Sequence, residues 1–280
     1  MSKSLAGRVV AITGGARGIG KATAAALAAE GAAVAIGDVD AQAAENTAKE
    51  IGRGVVALPV DVSHAGSFAR FLEEVERRLG PLDVLVNNAG IMTLGRFVDE
   101  RQDAARRMVD INLHGTLVGS RLALGRFLPR GSGHLVNVAS QAGKVGAAGG
   151  ATYCATKHAV VGLSETIRQE VRGSGVHVSV VMPSAVNTEL AAGLGRTRGV
   201  PTVEPAEVAA AIVATLRRPR FEVFVPRSMG MLIHSGALMP RRVREVISRM
   251  LGSNDLLGKP DMKARAAYEE RAAHSTGGGK

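Results

Sequence analysis

The chain has no tryptophan, a single cysteine and 3% aromatic residues. Cys154 alone cannot close an intrachain disulfide, and with neither a cysteine pair nor an HExxH helix there is no ligand pattern for zinc, so no metal is expected. Such sparing cysteine usage fits a reducing, cytoplasmic setting. No run of roughly 18 consecutive apolar residues occurs, which argues against a membrane-spanning helix, and the first residues lack the apolar core of an export signal. Scarce aromatic rings leave no platform for base stacking, and no nucleic-acid-binding motif is present. Nucleic acid is therefore not an expected partner, although the net charge is +10. The charge is unevenly placed: residues 1–189 hold 20 Lys and Arg against 17 Asp and Glu, and residues 190–280 hold 15 against 8.

Present instead is an alternation of short β-branched runs with Ala-rich stretches. Residues 9–12, 33–36, 55–58, 84–86, 134–138, 176–181 and 221–225 read as strands, and 18–30, 40–52, 67–79, 101–127, 152–172 and 206–217 suit helices. Strands that are apolar throughout, rather than at every second residue, belong in a parallel sheet covered on both faces. The expected fold class is α/β, a doubly wound parallel sheet of seven strands. After Pro226 the alternation stops. A main unit, 1–226, with a lid at 190–203, is expected to carry a helical extension, 227–280. That extension holds an apolar patch at 229–233, a break at Gly236 and an amphipathic helix over 240–251. In this helix Val243, Val246, Ile247, Met250 and Leu251 share one side, while Arg241, Arg242, Arg244 and Arg249 occupy the rest. From Gly252 onward a polar, frayed tail is expected.

Thr13-Gly14-Gly15-Ala16-Arg17-Gly18-Ile19-Gly20 follows the first strand and opens the first helix. Glycines let backbone approach a pyrophosphate, and the helix N-terminus favours the anion, so Gly14, Arg17, Gly18, Ile19 and Gly20 are candidate dinucleotide contacts. Asp38, at the end of the second strand, can accept hydrogen bonds from a ribose diol and repel a 2′-phosphate, favouring NAD over NADP. The alternative is that Asp38 and Asp40 cap the following helix. Arg17 argues the other way on the cofactor, since a cation in this loop can meet a 2′-phosphate.

Together with Asn87-Asn88-Ala89-Gly90, Asn112, Ser140 and Tyr153-x-x-x-Lys157, this turn makes the chain resemble the short-chain dehydrogenase/reductase family over about residues 5–226. The resemblance implies a Rossmann-like domain with strand order 3-2-1-4-5-6-7, and reversible hydride transfer between a nicotinamide and an alcohol or carbonyl. One group must then serve as both acid and base at the reacting oxygen. The resemblance assigns this to Tyr153, whose phenol, with an ordinary pKa of about 10, needs a cation to favour its charged form. Lys157, four residues on, falls on the same helix face, and is implied to bind the nicotinamide ribose as well. Ser140 is implied to orient the substrate oxygen with Tyr153, beside Gln141, and Asn112 to hold a water in a proton relay. Asp61 and Val62 match adenine contacts, Asn88, Ala89 and Gly90 the adenosine side, and Pro183, Val186 and Thr188 the nicotinamide end. Asn87 reads as structural. Ser184 replaces the family's usual glycine, which puts the local loop shape in question. Cys154 points off the Tyr–Lys face as a small buried side chain.

Gly- and Ala-rich loops at 141–150 and 190–203 offer few polar handles, so an apolar alcohol or ketone is the expected small-molecule partner. Arg196 and Arg198 either bind an anionic group or are a solvated surface. Residues 227–252 loosely resemble the C-terminal extensions of retinol- and steroid-type members. Their stripe either packs on the protein itself or on another subunit, or makes peripheral membrane contact. The resemblance also implies a homodimer or homotetramer built on helices 101–127 and 152–172. Other functions open to this sequence are an NADP-linked ketone reductase and a non-catalytic NAD-binding redox sensor.

Overall fold

The computed structural model describes residues 4–195, 201–237, 239–240, 242, 257 and 260–273. Strand β1 (Val9–Thr13) is buried along its whole length, because alternate side chains meet helices on opposite faces of a sheet. Six further strands join it: β2 (Ala33–Asp38), β3 (Val56–Pro59), β4 (Val84–Asn87), β5 (Gly133–Val138), β6 (Val176–Pro183) and β7 (Glu222–Val225). All pairings are parallel, in the order β3-β2-β1-β4-β5-β6-β7. The expected seven-stranded Rossmann-like sheet is thus present, with strand limits within two residues of those read from the sequence.

The helices among the described residues are α1 (Gly18–Ala29), α2 (Ala41–Ile51), α3 (Ala65–Leu79), α4 (Gln102–Met108), α5 (Gly115–Arg130), α6 (Ala151–Glu170), α7 (Pro205–Arg217), α8 (Ser228–Ala237) and α9 (Met262–Ala273). Val10 and Ile12 of β1 pack in one core with Leu27 of α1, Ala44 of α2 and Ile212 of α7. Val9 and Ala11 pack in the other with Phe68 and Leu72 of α3, Phe127 of α5 and Ile167 of α6. The two-residue period of the strand thus divides its side chains between two helix layers. Chain order reverses between β1 and β4, which opens a crevice at the carboxyl ends of these strands.

Two expectations need correction. The stretch 101–127 is not one α-helix: α4 and α5 are separated by a π-helical turn, Val109–His114. The fully buried Asn112 causes the difference, since its side chain accepts from Ile91 N (2.8 Å) and donates to Ile91 O (2.9 Å), gripping the backbone after β4. The tail after Gly252 is not frayed where it is described, because α9 packs Arg265, Tyr268 and Ala272 into the protein. The amphipathic helix expected over 240–251 lies outside the described residues, apart from positions 240 and 242, as do Arg196 and Arg198 of the expected lid. No described helix is long and apolar enough to cross a membrane.

Candidate active site

At the crevice lies a cavity of about 2180 Å³ that runs from the glycine turn to α9. The turn is built for close approach. Gly14 has φ +64°, and a Cβ there would stand 2.8 Å from Ala89 Cα; Gly18 has φ +51° and faces the Thr188 methyl. A Cβ on Gly20 would collide with the carbonyl of Gly14, so Gly20 is a packing requirement inside the turn and does not line the cavity. Helix α1 begins with no side-chain cap and no acidic residue in its first turn, which leaves its positive end available to an anion. Thr13 and Asn88 brace the turn. Thr13 Oγ1 accepts from Asn88 N and Ala89 N (3.1 Å each), and Asn88 Nδ2 donates to the carbonyls of Thr13 (2.9 Å) and Gly14 (3.0 Å).

Asp38 and Asp40 have separate tasks. Asp40 caps α2 through Ala43 N (3.0 Å) and pairs with Arg17 at 2.6 Å. Asp38 lines the cavity and accepts from Ala16 N (3.1 Å) and Asp40 N (3.2 Å), while burial raises its pKa above the ordinary carboxylate value. Asp61, also at the cavity, accepts from Ser63 N (2.9 Å) and Ser63 Oγ (2.6 Å), with Val62 buried beside it. Arg17, Ile19, Asn88, Ala89, Gly90, Pro183, Val186 and Thr188 line the same space. Ser184 adopts no positive φ; its hydroxyl donates to Pro201 O (2.6 Å), so the serine costs this loop nothing in backbone strain.

At the other end of the crevice Ser140, Gln141, Tyr153 and Lys157 meet. Ser140 sits two residues past β5, its Oγ accepting from Ala142 N (3.1 Å) and hydrogen-bonding the Tyr153 hydroxyl. Gln141 is anchored on Val225 O (3.3 Å). One helical turn separates Tyr153 from Lys157, whose ammonium donates to Val138 O (3.0 Å) and stands 5.7 Å from the tyrosine ring centroid. A Cβ at Gly90 would press on Asn112 Oδ1 at 3.2 Å and meet Lys157 Nζ in ordinary contact at 3.6 Å. Burial dominates both groups, pushing the Tyr153 phenol up to about 12 and the Lys157 ammonium down to about 8. For the phenol, burial is the largest cause and Ser140 works against it, while the Lys157 ammonium is tied to Val138 O rather than to the hydroxyl. Asn112 does not line the cavity; besides gripping Ile91, it donates to Thr156 Oγ1 (3.2 Å).

Lys157 thus carries a cost. Its pKa falls from 10.5 to about 8, so keeping it protonated at neutral pH costs about 3 kcal/mol, against about 1 kcal/mol from the bond to Val138. Lys157→Met is expected to raise stability by about 2 kcal/mol at pH 7, measured by urea unfolding. The gain should persist below pH 8 and fade toward pH 10.5, where both folded and unfolded lysine become neutral. A variant no more stable than the parent at pH 7 would contradict this account.

Two residues outside the expected set were missed. Tyr268 and Arg265 of α9 reach the cavity region from the far end of the chain; the one hint in the sequence is that Tyr268 is one of only two tyrosines. Asn87, expected to be structural, donates to Asn137 Oδ1 (2.9 Å) in the buried sheet. Cys154 is buried beside Ala147, and burial raises its thiol pKa.

A doubly wound parallel sheet, a glycine turn at its switch point and a serine–tyrosine–lysine set at its carboxyl edge define a class of dinucleotide-type α/β protein. The chain belongs to the short chain dehydrogenase family, whose model matches residues 8–199, and is an oxidoreductase of that family. It is 39% identical over 186 residues to a sorbitol dehydrogenase of Cereibacter sphaeroides, covering 66% of this chain and 73% of that protein. It is 34% identical over 230 residues to the ketoacyl reductase HetN of a Nostoc species, covering 79% of each. Against the probable oxidoreductase EphD of Mycobacterium tuberculosis it is 38% identical over 191 residues, 67% of this chain and 32% of that longer protein. A short chain dehydrogenase/reductase from Burkholderia phymatum, solved in complex with NAD, superposes with a TM-score of 0.76 at 24% identity, over 83% of this chain and 93% of that one.

Proposed function

We propose that the protein transfers a hydride between NAD and a primary or secondary alcohol or the corresponding carbonyl of an apolar substrate. The observation that carries this reading is the meeting of Ser140, Tyr153 and Lys157 in the same cavity as the glycine turn. The residues fit a dinucleotide: Gly14 and Gly18 line the cavity with no side chain of their own, the α1 N-terminus offers uncapped backbone to phosphates, and Asp38 faces the groove. When bound, the nicotinamide supplies the hydride acceptor or donor. Tyr153 holds or gives the proton at the reacting oxygen, and Ser140 orients that oxygen and shares a hydrogen bond with the phenol. With its pKa at about 12, Tyr153 carries its proton at neutral pH, the form required to protonate a carbonyl oxygen. Lys157 contributes positive charge behind the phenol and a donor for a ribose hydroxyl. Asn112 acts by fixing the Ile91 backbone at the edge of the site.

Asp38 supports NAD, and Arg17 is drawn away by Asp40. Asp38→Ser is expected to raise the preference for NADP over NAD by about 100-fold, since it removes a carboxylate from the position a 2′-phosphate would approach. Dissociation constants for both dinucleotides measure this, and an unchanged ratio would remove Asp38 as the discriminator. The overall reading is tested by screening NAD and NADP turnover across alcohols and ketones of increasing size. Preference of the parent for NADP would make it an NADP-linked ketone reductase. Dinucleotide binding without turnover on any compound would make it a redox sensor.

A further inference from the structure

Helix α9 lies beyond residue 199, where the family match ends. It is nevertheless fastened to the site by buried polar bonds. Arg265 is fully buried, and its guanidinium donates to Leu190 O (3.0 Å) and Ala192 O (2.9 Å) after β6, to Met92 O (2.7 Å) after β4, and to Glu269 (3.0 Å). The Tyr268 hydroxyl accepts from Met92 N (2.8 Å), and the guanidinium of Arg265 stacks 5.0 Å from its ring centroid. Asp261 N donates to Gly193 O (2.8 Å), and Gly193, at φ +70°, has no space for a Cβ against Asp261. The two loops fastened in this way contribute Met92, Leu190 and Leu194 to the cavity. Tyr268 and Ala272 face the same cavity and share an apolar cluster with Tyr153. Tyr268 and Ala272 are the apolar part of what α9 gives the cavity; Glu270 and Arg271 line it too, with Arg271 paired to Glu189 at 2.8 Å, and the bonds of Arg265 and Tyr268 fix the helix in place.

We infer that α9 is the far wall of the substrate chamber, and that Tyr268 and Ala272 set how long an apolar chain can extend from the carbon held at Ser140 and Tyr153. This rests on the alcohol and ketone reading for the reacting end, but occupancy of the chamber does not require hydride transfer. Ligands that bury one more methylene in a dry, preformed pocket gain about fourfold in affinity for each, until the pocket ends.

The chain's composition provides the probe. Tyr153 and Tyr268 are its only tyrosines and it has no tryptophan, so tyrosine emission of the full chain reports on this chamber. Titration with straight-chain methyl ketones, from butanone upward, is expected to show affinity rising about fourfold per carbon and then levelling at a definite length. Tyr268→Ala, read through Tyr153, is expected to shift that length upward by about two carbons. Ala272→Leu is expected to shift it downward by at least about one. Opposite shifts are what a wall requires and what a general loss of structure would not give. Shifts in the same direction, an unmoved limit, or no saturable binding by any ketone would each overturn the inference. Should Tyr268→Ala fail to fold, Tyr268→Leu takes its place with a smaller upward shift expected. A chain-length limit that moves as expected in a protein with no turnover would overturn the dehydrogenase reading and leave the wall in place.

Discussion

Tyr153→Phe is expected to lower kcat by about 10³-fold on any alcohol or ketone the protein turns over, with dinucleotide affinity changed by no more than about threefold. The substitution removes a single oxygen. The ring remains in its buried place on α6, one turn from Lys157, and the groove from Gly14 to Asp38 is untouched. On the proposed mechanism, what is lost is the proton for the reacting oxygen, together with the partner of Ser140. Steady-state rates with dinucleotide binding measured alongside decide the matter. A kcat within about tenfold of the parent would mean that another group carries the proton. A parallel loss of dinucleotide binding would mean that the hydroxyl shapes the groove rather than the reaction.

Arg265→Met is expected to cost about 3–5 kcal/mol, a large fraction of the stability of an ordinary domain. Methionine fills much of the same volume but leaves the carbonyls of Met92, Leu190 and Ala192 without their donor, and Glu269 without its cation. Arg265→Lys should recover little, because one compact ammonium cannot reach three carbonyls in the fork geometry of a guanidinium. Urea unfolding measures the total, and protease cleavage under native conditions between residues 257 and 273 would show whether α9 detaches first. A loss below about 1 kcal/mol would show that α9 is held by its apolar contacts alone.

Sequence made the sheet and the phosphate end legible because their requirements are local. Val9 to Ile12 must be apolar on both sides, and the turn after them needs glycine at Gly14 and Gly18 whatever the rest of the chain does. Tyr153 and Lys157 are singled out by the resemblance to a family motif, and their helical spacing puts them on one face. Their electrostatics were not legible, because which atom holds the ammonium depends on the Val138 carbonyl, which β5 brings from outside the helix. The break between α4 and α5 was hidden for a similar reason: the apolar period runs on through 101–127, and it is the grip of Asn112 on Ile91, 21 residues back, that widens the turn. Helix α9 was missed because its buried face carries an arginine. Hydropathy counts Arg265 as surface, and only the three carbonyls it meets make its burial favourable.

The separation in sequence between α9 and its partners bears on how the protein matures. Met92 is 173 residues from Arg265 and 176 from Tyr268. During synthesis the sheet from β1 to β7 can pair, and both of its helix layers can pack, while the loops after β4 and β6 still lack the contacts that fix them. The α9 end of the cavity therefore takes its final shape last, after Tyr268 has left the ribosome and has closed back onto Met92. A chain released before that point would hold the glycine-turn end of the cavity and lack the end that α9 supplies.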